Sequence, residues 1–481
     1  MKQTIDYFKD ISVIPRASGS EEKIAGYICD LADKNRLYRY RDSADNVLVK
    51  KPATPGYENR PSVLLTAHTD MVCEKTPDSV HDFSGDAIKI IEKDGFLSAD
   101  KTTLGADNGG GVAVMLRLME NNESPHPQLE FLFTSSEETG MQGAAAFDYS
   151  LIDSDFVINL DSENFSSVCI GCAGGSRYRL EIPVERTRNA EKLYQVEITG
   201  LSGGHSGTDI SKNRKNALKI SGELLSQING KYPICLASLS AGGKDNVIPV
   251  YARATFEIFR NSDLSAVREL CSDFYRSISD SLEACDRKKF RIKFKKFPAE
   301  AENIRILSFK STFAVISALL LAPFGVTEFI PGTAMPSASV NPGIAELGEK
   351  FYTGVFLSRY GSEFSDLCTG NRLASIASLL GGRLTKESSY PGWPYKRGSA
   401  LQSAYEKAFS EISGNKPLFE SVHAGLECGI FSSKLSALGK TPDIISVGPD
   451  LYAIHTVNEK MDISSLEKLY AVVCRTFEYI R

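Results

Sequence analysis

An α/β fold with an insertion is what the sequence predicts: a mixed, mostly parallel sheet domain with helices on both faces, interrupted by an inserted α+β lid domain. Three observations predict it. Short apolar strand runs alternate with helical patterns in the opening part of the chain, as in parallel-sheet domains. After about Pro183 the pattern changes to longer strands and helices, and beyond the proline-rich turn Pro391–Lys396 it returns to the first style. The predicted boundaries are 1–183 and 397–481 for the sheet domain and 184–396 for the inserted lid.

In the first domain the clearest strands are Val63–Ala67, Leu129–Phe133 and Phe156–Leu160, with helices expected at Gly109–Asn121 and Gly140–Ile152. The insert offers strands at Tyr194–Thr199, Val247–Phe259 and Arg291–Phe294 and helices at Asn213–Asn229 and Ser262–Ala284. A similar order recurs as a helix at Ile304–Leu321, strands near Ser339–Leu347 and Tyr352–Ser358, and a helix near Asp366–Leu380. A local echo, FEIFR before NSDL and VFLSR before YGSEFSDL, points to a duplicated β-α module. Helices Ser399–Ile412 and Ser464–Tyr479 and the strand Ile444–Val447 complete the first domain. This layout predicts a cleft between the domains that the lid closes over a substrate.

Composition removes some functions. The chain has 481 residues, a formal net charge of −5 and 24% charged residues, which gives no basic surface for nucleic acid. The N-terminal MKQTIDYFKDISVIPRASG lacks the apolar run of a signal peptide, and no later segment has the length of a membrane span, so a cytoplasmic protein is expected. Ten cysteines, with Cys169 and Cys172 the single C-x-x-C, read as buried reduced thiols rather than a zinc ribbon.

In open α/β sheets ligands bind beyond the carboxyl ends of the strands, so polar residues directly after apolar runs are the first candidates. VLLTA leads into His68-Thr69-Asp70, LEFLF into Thr134-Ser135-Ser136-Glu137-Glu138, and FVINL into Asp161-Ser162-Glu163. Asp107 stands before the glycines that open a helix, and His455 follows a later strand of the same domain. Taken singly these are bland, since adjacent glutamates usually form a solvated helix face and a lone His after a strand is usually structural. Together they make a nitrogen and carboxylate set suited to Zn²⁺, Mn²⁺ or Co²⁺. Two such ions about 3.5–4 Å apart would share a carboxylate, polarise a carbonyl and lower the pKa of a water, with Glu137 taking its proton. Asp70 is placed to orient His68.

The same residues carry a resemblance. AHTDM at Ala67–Met71, TTLGADNGGGVA at Thr102–Ala113, SSEETGMQGA at Ser135–Ala144, NLDSE at Asn159–Glu163, GCAGG at Gly171–Gly175, GGHSG at Gly203–Gly207, HAGLECG at His423–Gly429 and SVGPDLYAIHTVNE at Ser446–Glu459 resemble, in order, the motifs of the M20 metallopeptidases, and within them the aminoacyl-histidine dipeptidase branch. The resemblance implies that His68, Asp107 and Asp161 hold one metal, and that Asp107, Glu138 and His455 hold the other, with a cis peptide between Asp107 and Asn108. It implies Glu137 as general base, Asp70 as the carboxylate behind His68, and His205 as the imidazole that steadies the oxyanion. Asn246 and Arg359 resemble residues that grip the dipeptide, with Gly425 and Glu427 near the substrate.

The implied activity is metal-dependent hydrolysis of Xaa-His dipeptides, β-alanyl-His included, with a homodimer as one possible assembly. Thr69, the segment KDNVIP and the proline of VNPG depart from the branch pattern around the pocket, which bears on specificity. Two rivals stand beside this reading: an N-acyl amino acid deacylase or carboxypeptidase on the same scaffold, and a non-catalytic binding protein.

Overall fold

The computed structural model describes residues 2–121, 124–259, 264–297 and 304–481. The chain forms two compact units. The first comprises Met1–Cys172, Trp393–Val422 and Leu426–Arg481, and the second Ala173–Gly392 with His423–Gly425. The sequence pattern predicts the first boundary at 183/184. The strand Gly174–Pro183 instead pairs along its length with Phe351–Tyr360, so the second unit begins at Ala173.

The first unit is built on an eight-stranded mixed sheet. At its centre Leu129–Thr134, Val63–His68, Phe156–Asn159 and Asp443–Ser446 run parallel to one another, and almost all of their residues are buried, which explains the continuous apolar runs. Tyr38–Arg41 and Val47–Lys51 continue the sheet antiparallel on one side, while Ser167–Cys172 and Leu418–Val422 complete the other. Because the central strands are parallel, the residues that follow them leave the sheet along one edge.

In the second unit, two β-α-β-β-α-β sets make up most of a nine-stranded sheet. One set runs Leu193–Thr199, helix Ala217–Lys231, Ile234–Gly242, Ala252–Ile258, helix Leu264–Ser279 and Arg291–Lys296. The other runs Gly174–Pro183, helix Phe309–Leu321, Pro336–Leu347, Phe351–Tyr360, helix Glu363–Leu379 and Arg383–Tyr390. In each set the fourth strand pairs with the first, the first with the third, and the third with the second, and the two second strands meet antiparallel at the centre. The expected duplication therefore has a definite form: the first set is spliced into the second after that set's opening strand. The sequence echo falls at the same step of both sets, the turn from third strand to second helix, although residues 260–263 of its first copy lie outside the described residues.

Several expected elements differ. The helix expected at Gly140–Ile152 is a short helix Gln142–Ala146 followed by a 3-10 turn Tyr149–Leu151; Phe147 turns extended and packs edge-on against Tyr149, and the Asp148 side chain caps the turn. Ile304–Leu321 begins as a strand, Arg305–Leu307, before Ser308 caps the helix Phe309–Leu321. The strand expected from Val247 is regular only over Ala252–Ile258, because Pro249 has no N–H for a ladder. The helix expected at Ser262–Ala284 is divided into Leu264–Ser279 and Ala284–Lys289 around buried Leu282, and residues 262–263 lie outside the described residues. All ten cysteines are free thiols, but Cys285 and Cys368 are exposed rather than buried. No helix among the described residues is long and apolar enough to cross a membrane.

Candidate active site

The sheet edge of the first unit gathers the residues singled out from the sequence. His68 ends its strand with the ring buried. Its Nε2 lies 3.2 Å from Asp107 Oδ1 and 3.4 Å from Asp161 Oδ1, and its Nδ1 lies 3.3 Å from Asp70 Oδ1. The other oxygen of Asp107 faces the second imidazole, with His455 Nε2 at 3.2 Å from Asp107 Oδ2 and 2.8 Å from Glu138 Oε1. One carboxylate thus addresses two histidines from opposite oxygens. Asp107 stands where the chain enters the helix Ala106–Glu120, with non-helical backbone at Asp107 and Asn108 and a cis peptide between them.

Asp70 organises this edge. Its Oδ1 accepts the backbone N–H of Glu137 at 3.0 Å, and its Oδ2 accepts the N–H of Glu138 at 3.2 Å and the hydroxyl of Ser18 at 2.7 Å. A single side chain therefore orients His68 and fixes the turn that presents both glutamates. Burial works against the Asp70 charge, but His68, Ser18 and the Glu137 N–H hold its pKa down at about 2. Burial likewise opposes a charge on His68, yet Asp161, Asp107 and Asp70 raise its pKa well above the usual imidazole range. Burial and neighbouring acids push Asp161 up to about 6 and Glu163 to about 7. Burial first, and then Asp161, Glu427 and Glu138 against the opposing pull of His68, raise Glu137 well above the ordinary carboxylate range.

This donor set fits a divalent cation. One ligand atom each from His68, Asp107 and Glu138 lie within 4.8 Å of one another, and they are nitrogen and oxygen donors with no thiolate. Asp107, Glu138 and Asp161 have no Lys or Arg ion-pair partner among the described residues, so the crowded negative charge calls for a cation of another kind.

Two structural supports have no counterpart among the residues singled out from the sequence. Glu459 is 3% exposed, and its two oxygens accept the backbone N–H groups of Leu104, Gly105, Ala106 and Asp107 at 2.8–3.3 Å. Buried Arg16 donates to the carbonyls of Thr69, Asp70 and Gly105, tying the His68 and Asp107 segments together. Glu459 closes the SVGPDLYAIHTVNE motif, but nothing in a sequence reveals acceptance from four amides more than three hundred residues away. Removing it should loosen Asp107. Glu459→Leu is expected to weaken metal binding by roughly 10- to 100-fold, the range for groups that orient metal ligands, as measured by competition with a chromogenic chelator.

Glu427 is fully buried in the same unit, where Oε2 accepts the Thr134 hydroxyl at 2.9 Å and Oε1 has no hydrogen-bond partner among the described residues. Burial raises its pKa to about 8, Asp161 adding to the effect against His68.

The remaining predicted residues form a separate cluster in the second unit. Arg359 is 4% exposed; it donates to Tyr390 Oη at 2.9 Å and to His205 Nε2 at 3.2 Å, and among the described residues its Nε has no partner and no carboxylate pairs with it. An anion that reached this buried guanidinium would relieve the cost of its missing counter-ion. Burial and the Arg359 charge pull His205 and His423 down to about 4, so both rings beside it are neutral, and His423 Nε2 meets Ser339 Oγ at 2.8 Å. Arg359 and Asn246 line a cavity of about 460 Å³ with Arg177, Asp245, Leu357 and Tyr390. Gly425 is small for a reason: a Cβ there would lie 2.6 Å from the Tyr390 ring.

Fold and site define a hydrolase of the metal-dependent peptidase class. The profile of Peptidase family M20/M25/M40 matches residues 64–479, and the chain belongs to that family, whose members act on peptide bonds. It is similar to the aminoacylhistidine dipeptidase of Vibrio alginolyticus, with a TM-score of 0.89 and 30% identity, covering 99% of this chain and 96% of that one. It is 29% identical to the cytosol non-specific dipeptidase of Escherichia coli K12 over 480 residues, which is 99% of this chain and 97% of the relative. The aminopeptidase PepT of Bacillus cereus shares the fold, with a TM-score of 0.55 at 16% identity.

Proposed function

We propose that this chain is a two-metal dipeptidase that cleaves Xaa-His substrates, β-alanyl-His among them, in the cytoplasm. The observation that carries the reading is Asp107, whose two oxygens each face a different histidine at 3.2 Å, the arrangement a bridging ligand requires. His68, Asp107 and Asp161 would hold one ion and Asp107, Glu138 and His455 the other, zinc first and manganese or cobalt as alternatives. Such ions supply a water of lowered pKa and polarise the scissile carbonyl.

The chain's own groups do the rest. Glu137 accepts the proton of the attacking water and returns it to the leaving nitrogen, and a carboxylate of raised basicity suits that task. Asp70 holds the His68 ring and the Glu137–Glu138 turn in place. Of the second unit's residues, Arg359 takes the C-terminal carboxylate, Asn246 and His205 the peptide carbonyl region, and Gly425 completes the set; Glu427 of the first unit also serves the substrate. A homodimer is the assembly that analytical ultracentrifugation tests against a monomer.

The full-length relatives differ by name in specificity, one an aminoacylhistidine and the other a non-specific dipeptidase. A panel of β-alanyl-His, Gly-His, Ala-His, Leu-Gly and N-acetyl-His, with added Zn²⁺, Mn²⁺ or Co²⁺ and a chelator control, therefore tests the proposal. Chelator-sensitive cleavage confined to unblocked Xaa-His supports it; cleavage of Leu-Gly at an equal rate removes the histidine preference; no metal-dependent cleavage removes the reaction. Arg359→Met is expected to raise KM for a cleaved dipeptide by about a hundredfold, the scale of losing one bidentate charged contact. A dipeptide amide, which lacks the carboxylate, should show little difference between the two proteins.

A further inference from the structure

The interior of the second unit contains a polar pair that packing alone does not require. Asn216 and Asn341 are each 1% exposed. Asn341 lies on the strand Pro336–Leu347, opposite Leu357 of the strand that carries Arg359. Its Nδ2 donates to the carbonyls of Asp245 and Val247, both at 2.9 Å, and so grips the chain on either side of Asn246. Asn216 Nδ2 donates in turn to Asn341 Oδ1 at 3.4 Å and to the Pro342 carbonyl at 3.1 Å, which sets the orientation of the Asn341 amide.

The grip extends to His205. The N–H of Ser206 donates to the Asn246 carbonyl at 2.8 Å, the N–H of Ile248 donates to Gly204 at 2.9 Å, and His205 bridges to Val247. The loop also lies directly on the strand beneath it, since a Cβ at Gly343 would come 2.5 Å from the Asp245 Cα. Loop carbonyls pressed against a buried strand need donors, and among the described residues Asn341 supplies them for Asp245 and Val247.

We propose that Asn216 and Asn341 are positioning residues that lock the 243–248 loop, and with it Asn246 and His205, into register with Arg359. The kinetic consequence rests on assigning those three residues to the substrate; the positioning itself does not. An ordinary role for Asn216 is also visible, because its Oδ1 accepts the Leu218 and Lys219 N–H groups and caps the helix Ala217–Lys231. Asn216→Asp separates the two roles: the carboxylate still caps the helix, but both donors to the 341–342 segment are gone.

The test is hydrogen exchange on the full-length chain together with steady-state kinetics, for Asn341→Leu and Asn216→Asp. In both variants, amides of 243–248 and 203–209 are expected to exchange on the order of tenfold faster while the strand Phe351–Tyr360 keeps its protection. KM for a cleaved dipeptide should rise by about tenfold, with a smaller change in kcat, and KM for a dipeptide amide should rise with it, since Asn246 and His205 are assigned to the peptide carbonyl region that both substrates share. Wild-type exchange in these segments overturns the proposal, as does faster exchange confined to the helix Ala217–Lys231. If Asn341→Leu fails to fold, Asn216→Asp decides by the same criteria. If the wild-type chain cleaves no dipeptide, the proposed function falls, and the exchange measurement still judges the positioning.

Discussion

Glu137→Gln is expected to keep its metal and to lose about a thousandfold or more in turnover, within the usual range for removing a general base. The amide is nearly isosteric, and the hydrogen bond from the Glu137 N–H to Asp70 is made by the backbone, so the substitution leaves it alone. The atoms of His68, Asp107, Glu138, Asp161 and His455 proposed to hold the metals are untouched. Metal content by elemental analysis should therefore match wild type, while a continuous assay on the best dipeptide falls to near the limit of detection. Undiminished activity would remove Glu137 from the chemistry, and lost metal would mean that it serves as a ligand instead.

Substitution at Asp107 should test the proposed pair of metals in another way. If one carboxylate serves both ions, Asp107→Ala removes a ligand from each, whereas Asp161→Ala removes one from a single ion. The expected metal content is close to none for Asp107→Ala and about one ion per chain for Asp161→Ala, with turnover lost by about four orders of magnitude in the first. Dialysis against a chelator should reproduce the first result, and readdition of metal should reverse it. Equal metal content in the two variants would exclude the bridging arrangement.

Much of this site is legible in the sequence, for a physical reason. Parallel strands buried on both faces appear as uninterrupted apolar runs, and a polar residue that ends such a run is placed at the sheet edge by the fold itself, which is what marks His68, Glu137, Glu138 and Asp161. Asp107 and His455 need the whole constellation, since Asp107 stands at the irregular entry to the helix Ala106–Glu120 and His455 in a turn, and no local pattern reveals either course; His455 even has a positive φ of 59°. What stays hidden are residues that act on the backbone of distant segments: Glu459 on the Asp107 turn, Arg16 on Thr69 and Gly105, and Asn341 on the 245–247 loop. Their partners are peptide groups, which every residue has, so residue types and spacing carry no trace of them.

The nested repeat is half legible for a similar reason. Strand and helix patterns recur visibly, but the opening strand of the outer repeat, Gly174–Pro183, precedes the whole inner repeat and looks like the end of the first domain until its pairing with Phe351–Tyr360 is known. The division of the helix expected at Gly140–Ile152 is hidden by its composition, since Phe147 and Tyr149 are buried by packing against one another rather than by helical periodicity.

The hold of Glu459 on the Asp107 turn has a consequence for the timing of activity during synthesis. His68, Asp70 and Asp107 are made early, yet the second histidine and the carboxylate that secures the turn belong to segments translated much later. A nascent chain that has not reached residues 455–459 lacks both His455, one of the proposed ligands, and the Glu459 carboxylate that holds the Asp107 turn, however well its early strands have paired. The protein should therefore pass most of its translation as an inert polypeptide, unable to hydrolyse peptides near the ribosome, and become competent only when its late segments close the site.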